Sequence, residues 1–148
     1  MAGSIMVTFK TTLLAELVAM PGTAGVKLSY GDPGENALKE NIWFGRIYDN
    51  AHDPVALKAG RRRREENFTL DIYIEVGGVR LTPERCEARA LELGLLIEEY
   101  LADSPKLDGT VTGLQFAVVS GMELFTSQTT DGPYTRHTVS VDVKARLL

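Results

Sequence analysis

An α+β fold, with two helices on one face of a mainly antiparallel sheet and a long C-terminal β-hairpin, is predicted by three features of the sequence. The strand-like segments alternate apolar and polar residues and lack the continuous apolar runs of a buried parallel sheet. Two other segments repeat their apolar residues at helical spacing. Gly- and Pro-rich breaks separate these segments.

In chain order, Phe9, Leu13 and Leu17 recur every four positions, which predicts a helix from Thr8 to Ala19 that Pro21-Gly22 stops. Val26 to Tyr30 alternates as a half-buried strand and ends in the turn Gly31-Asp32-Pro33-Gly34. Asn41 to Tyr48 is rich in β-branched and aromatic residues, with Gly45 marking a bulge or a close backbone approach. Asp49 to Gly60 reads as a loop, given Asp53-Pro54 and the small residues near Gly60.

The clearest strand runs from Arg64 to Val76. Phe68, Leu70, Ile72, Ile74 and Val76 point one way and Thr69, Asp71, Tyr73 and Glu75 the other, so one face packs and one is polar. Thr82-Pro83 supplies an N-cap hydroxyl followed by proline at the first helical position. The helix they open reaches Asp103, with a core stripe of Cys86, Ala90, Leu93, Ile97 and Leu101. Leu91 and Leu95 fall on its opposite, charged side. Ser104-Pro105 breaks it, and Val111 to Phe125 forms a strand with bulge points at Gly113 and Gly121. Thr126 to Tyr134 reads as a projecting polar loop, and Arg136 to Leu147 alternates as the last strand.

A chain of 148 residues fits a single domain, 1–148. No apolar run approaches the roughly 20 residues that span a bilayer, which excludes a transmembrane helix. Lys10 and Glu16 interrupt the N-terminal apolar stretch, and no basic region precedes it, so an intracellularly made protein without a signal peptide is expected. Cys86, the only cysteine, can form no intrachain disulfide and reads as a small buried hydrophobe.

Catalysis and cofactor or metal binding find no support. There is no GxxxxGK[ST], GxGxxG or GxSxG motif. His52 reads as a solvated loop residue and His137 as a structural one, and neither is spaced with a second ligand. The carboxylates sit where solvated faces would carry them.

Charge is more informative. The net charge of -4 argues against a protein that coats nucleic acid. Arg61-Arg62-Arg63-Arg64 is followed at once by Glu65-Glu66, and the long helix carries six acids against two arginines. Three readings of the arginine run stand: a solvated strand lead-in, a seam in which the run of one subunit meets the acidic helix of the next, or a contact with DNA passing through a ring. Leu91 and Leu95 either meet a loop of the same chain or fill a neighbour's groove. From a different class, the arginine run with Trp43, Phe44 and Tyr48 reads as a stacking platform for nucleic acid.

The order of parts resembles the tail terminator proteins of long, non-contractile-tailed phages, particularly those of actinobacterial hosts. The resemblance covers most of the chain. It lies in the N-terminal helix, the turn Tyr30-Gly31-Asp32-Pro33, the segment Glu40-Asn41-Ile42-Trp43-Phe44-Gly45, the strand opening Arg64-Glu65-Glu66-Asn67-Phe68-Thr69-Leu70-Asp71-Ile72, the Thr-led helix rich in Ala, Arg and Glu, and the closing hairpin. The four-arginine run and the length of the hairpin lie outside the family's general pattern.

That resemblance implies a structural virion protein with no cofactor and no catalysis, assembled in the host bacterial cytoplasm and placed at the neck end of the tail. It implies a ring, usually a hexamer, that binds the tail tube protein, ends tube polymerisation and presents a face to head-tail connector proteins; another neck (stopper) protein is the alternative. In such a ring Arg61, Arg62, Arg63, Arg64, Glu65 and Glu66 would contribute to subunit or tube contacts. Leu91 and Leu95 would fill an interface, and the loop carrying Ser127, Gln128, Asp131 and Tyr134 would touch a neighbouring ring.

Overall fold

The computed structural model describes residues 3–34, 40–56 and 63–147, with the backbone alone for 49–56 and 63–64. Two helices, α1 (Met6–Ala19) and α2 (Pro83–Asp103), accompany five strands: β1 (Lys27–Ser29), β2 (Asn41–Ala56), β3 (Arg63–Gly77), β4 (Leu114–Thr129) and β5 (Gly132–Leu147). The strand order is β1-β2-β3-β5-β4, and every pairing is antiparallel except β1 with β2. The α+β architecture with a C-terminal β4–β5 hairpin is thus observed. The strands β3 and β4 run parallel two positions apart, joined through α2, and β5 inserts between them.

The alternation read from the sequence sets the core. Phe68, Leu70, Ile72, Ile74 and Val76 of β3 lie beside Val143, Val141, Val139, His137 and Thr135 of β5, all buried under the helices. Phe9, Leu13 and Leu17 pack from α1, where Phe9 meets Phe68 edge-on with ring centroids 6.0 Å apart. The expected stripe of α2, Cys86, Ala90, Leu93, Ile97 and Leu101, is buried throughout, with Gly94 beside it. As the sequence suggested, the Thr82 hydroxyl caps α2 by accepting from the Arg85 N–H at 3.2 Å.

Two expected loops are strands instead. Asp49 to Ala56 continues β2, pairing Ala51 with Asn67, His52 with Glu66, Asp53 with Glu65 and Pro54 with Arg64; positions 57–60 of the expected loop lie outside the described residues. The partner strand overrides the local Asp-Pro signal, and register shifts beside Ala51 and Ala56 absorb the irregularity. β1 reaches only Trp43 along β2, so Pro54 sits on a sheet edge, where a missing N–H costs nothing.

The second correction concerns Thr126 to Tyr134, which does not project as a loop. β4 runs to Thr129 and β5 starts at Gly132, leaving a turn of Thr130 and Asp131. Its backbone is held by the Thr129 hydroxyl, which donates to Gly132 O at 2.7 Å and accepts from the Asp131 N–H at 3.2 Å. The hairpin is embedded at this end as well, since Tyr134 pairs with Gly77 of β3.

Candidate assembly surface

The sheet face turned away from the helices is not the solvated surface that polar alternation suggests. Thr69, Asp71 and Glu75 are buried there, each covered by side chains of neighbouring strands. Asp71 accepts from Arg46 Nε at 3.2 Å, the Tyr48 hydroxyl at 3.3 Å and the Ser140 hydroxyl at 2.9 Å. Thr69 donates to Asp142 at 2.7 Å. Glu75 accepts from Trp43 Nε1 and from the Tyr134 hydroxyl, and Arg136 ion-pairs with it at 3.5 Å. Trp43 and Tyr73 stack with centroids 4.5 Å apart, and the Arg136 guanidinium lies 5.0 Å from the Tyr73 ring. Gly45 makes the stack possible: a Cβ there would lie 2.0 Å from the Tyr73 ring.

This arrangement consumes its own charges. Asp71 and Glu75 are each committed to donors from at least two other side chains, so they tie strands together instead of presenting an acid–base pair to a substrate. Burial, followed by the Glu75 carboxylate that accepts its proton, pushes the Tyr134 phenol up to about 12. Among the described residues no group of three or more His, Cys, Asp or Glu is placed to hold a metal, and no helix is long and apolar enough to cross a membrane.

The residues singled out in the sequence separate. Arg61 and Arg62 lie outside the described residues; Arg63 and Arg64 open β3, opposite Ala56 and Pro54. Glu65 is half-buried on the polar face, where it ion-pairs with Arg146 at 3.2 Å and Lys144 at 3.6 Å from β5. Glu66 is a correction: it is fully buried on the helix face and accepts the Ile5 N–H at 3.0 Å, where its charge meets the positive end of α1. Its parity with Phe68 had placed it on that face.

Ser127 is half-buried and pairs with Tyr134, while Gln128 and Asp131 are exposed near the hairpin turn. Tyr134 faces Glu75 inside the polar network, a second departure from the expected loop. Leu91 and Leu95 are exposed on α2. The expected stacking platform does not form, because Phe44 is buried on the helix face while Trp43 and Tyr48 engage the polar face. His137 is buried as expected, with Nδ1 3.1 Å from Glu123 O. Cys86 is buried too, which pushes its thiol up.

One region of exposed apolar side chains stands out. Leu91 and Leu95 of α2 are 46% and 49% exposed, and Met122 and Leu124 of β4 are 49% and 39% exposed. Their proximity follows from the pairing. Gly94 passes so close to His137 and Val139 that a Cβ would lie 2.5 Å from His137 Nε2, and the β4 partners of those two residues are Leu124 and Met122. One turn before Leu91, Glu87 accepts from the Thr126 hydroxyl of β4 at 2.7 Å. Leu91 and Leu95 follow Glu87 at four-residue steps along the same side of the helix, so they share one apolar flank with Met122 and Leu124 of β4.

These features define a two-layer α+β domain with one polar, internally tied sheet face and one apolar flank. No family model matches the chain, and no curated protein does. Among solved structures the fold is similar to a chain in one described as "Virion of native gene transfer agent (GTA) particle", with a TM-score of 0.65 at 11% identity, covering 99% of this chain and 100% of that one. At that identity the likeness is one of fold.

Proposed function

We propose that the chain is a structural protein of a phage-like virion, a tail terminator that closes into a ring on the tail tube and ends its growth. The observation that carries this reading is the fold likeness to a gene transfer agent virion chain, which covers both chains almost end to end. The described geometry agrees with it: the buried carboxylates Asp71 and Glu75 are spent on cross-strand ties, and Leu91, Leu95, Met122 and Leu124 are exposed on one flank.

The mechanism is geometric. Copies joined by two different surfaces close into a ring when the rotation between them closes, and the ring's outer face no longer repeats the addition surface of the tube. In this reading the run Arg61 to Arg64 meets the acidic helix of the next subunit, where guanidinium forks bind carboxylates bidentately. Leu91 and Leu95 are desolvated at the same seam. Ser127, Gln128 and Asp131, at one end of the β4–β5 hairpin, contact an adjoining ring. Cofactors and catalysis have no part in it.

The test is the mass of the purified protein alone and mixed with tail tube subunits, followed by electron microscopy. Rings seated at one end of tubes of limited length are expected. Rings that ignore tubes but bind connector assemblies would move the protein to another position in the neck. Replacing Arg62 and Arg63 with glutamate is expected to abolish assembly while the far-ultraviolet circular dichroism spectrum stays that of the wild type.

A further inference from the structure

The two edges of the sheet are built differently. Along β2 the exposed edge carries Pro54, the acids Asp49 and Asp53, and three register irregularities, and β1 covers its first residues. Such features discourage another strand from pairing there. The 16-residue strand β4 has no proline and a single charge, Glu123, and its two register shifts, between Leu114 and Phe116 and between Val119 and Gly121, leave the stretch from Met122 to Thr129 regular. Pro105 O accepts the Ala117 N–H near its start, and among the described residues no strand lies beyond it. Phe116, Val118 and Phe125 are exposed on its polar-face side, and Met122 and Leu124 on the helix side. A regular, mainly apolar edge of this kind is a template for pairing with another chain.

Charge indicates what covers it. Glu84 and Glu98 follow the same helix stripe as Leu91, seven residues to either side, and Glu87 adds to the acidic rim. The complementary segment is in this chain. In sequence the end of β2, the β2–β3 connection and the start of β3 read Val55-Ala56-Leu57-Lys58, then Ala59-Gly60 and four arginines, which is apolar residues followed by cations.

We infer that the apolar flank formed by α2 and the edge strand β4 is the acceptor surface for a second copy of this chain. Leu91, Leu95, Met122 and Leu124 take its apolar residues, and Glu84 and Glu98 pair with its arginine run. The contact is heterologous, acceptor flank to arginine run, as ring closure requires. This inference rests on the ring reading and assigns it a specific seam.

Charge reversal on both sides tests it by native mass measurement. Glu84→Arg with Glu98→Arg is expected to reduce the wild-type ring to monomer, and Arg62→Glu with Arg63→Glu to do the same. Mixing the two variants restores association, because one seam then joins reversed arginines to reversed acids. Leu91→Glu with Leu124→Lys abolishes the ring while the urea midpoint of the monomer stays within that of the charge variants. A wild-type chain that remains monomeric at its solubility limit, rings that survive the leucine variant, or no association on mixing would each overturn the seam. Tube capping is read separately. Rings that break as expected yet never cap tubes leave the seam standing and remove the terminator role; capping by rings that survive every variant does the reverse.

Discussion

Asp71 and Ile72 are neighbours in β3, 4% and 0% exposed, yet different physics covers them. Ile72 lies under the helix layer among Phe44, Val139 and other apolar residues, where burial is non-directional and proportional to area. Asp71 lies on the face without helices, closed over by Arg46, Tyr48 and Ser140, which all aim hydrogen bonds at it. One face is held by packing and the other by a cross-strand polar lattice. The lattice ties the middle of that face, and the exposed apolar residues there, Phe116, Val118 and Phe125, are confined to the edge strand β4, which also carries Met122 and Leu124 beside α2.

The sharpest way to break this comparison is to remove each neighbour in turn. Ile72→Ala opens a cavity in the centre of the core and is expected to cost about 2–5 kcal/mol, read from urea unfolding. Asp71→Ala is expected to cost less, about 1–3 kcal/mol, since it strands the Ser140 and Tyr48 hydroxyls. The Arg46 side chain left behind is 73% exposed, so it keeps its water and adds little. An Asp71→Ala loss equal to or above that of Ile72→Ala would show that the polar face, not the core, dominates stability.

Gly94→Ala probes the helix side at its tightest point. Alanine improves helix propensity by about 1 kcal/mol, but its Cβ would press on the buried His137 ring, and overpacking of this kind costs about 1–3 kcal/mol. The net expectation is a loss of about 1 kcal/mol that His137→Ala in the same chain relieves, visible as coupling in a double-mutant cycle. Simple additivity of the two changes would mean that α2 lifts off the sheet without cost.

Much of the helix side was legible in the sequence. The period of two in β3 and β5 and the stripe from Cys86 to Leu101 are local patterns that report which residues share a face. The polar face was not legible, because alternation shows that Asp71 and Glu75 point away from the core but not what lies over them. Their partners Arg46, Trp43, Tyr134 and Ser140 come from other strands, brought together by registers set over separations of 25 to 69 residues. The extension of β2 past Tyr48 was hidden for the same reason: Asp53-Pro54 is a turn signal until β3 pairs with it. Of the candidate interface, the exposure of Leu91 and Leu95 followed from helical angles, while their neighbours Met122 and Leu124 needed the fold. Glu66 could have been assigned from parity alone, had the adjoining charges not drawn both glutamates to the surface.

The smallest effect concerns alkaline pH and separates the two faces most cleanly. The Tyr134 phenol, ordinarily near 10, is pushed up to about 12 by burial and by the Glu75 carboxylate that accepts its proton. The folded state therefore favours the neutral phenol. Its contribution is complete below the unfolded value and is lost as pH rises through the folded one, so stability should fall between pH about 10 and about 12. On the helix side Tyr100 is also raised to about 12, chiefly by burial, and contributes in the same window. Tyr134→Phe removes the polar-face share of this fall and leaves the Tyr100 share, so the melting temperature should drop less steeply across that window than in the wild type. If the slope is unchanged in Tyr134→Phe but reduced in Tyr100→Phe, alkaline sensitivity belongs to the helix side, and the hydrogen bond from Tyr134 to Glu75 contributes little to holding the lattice.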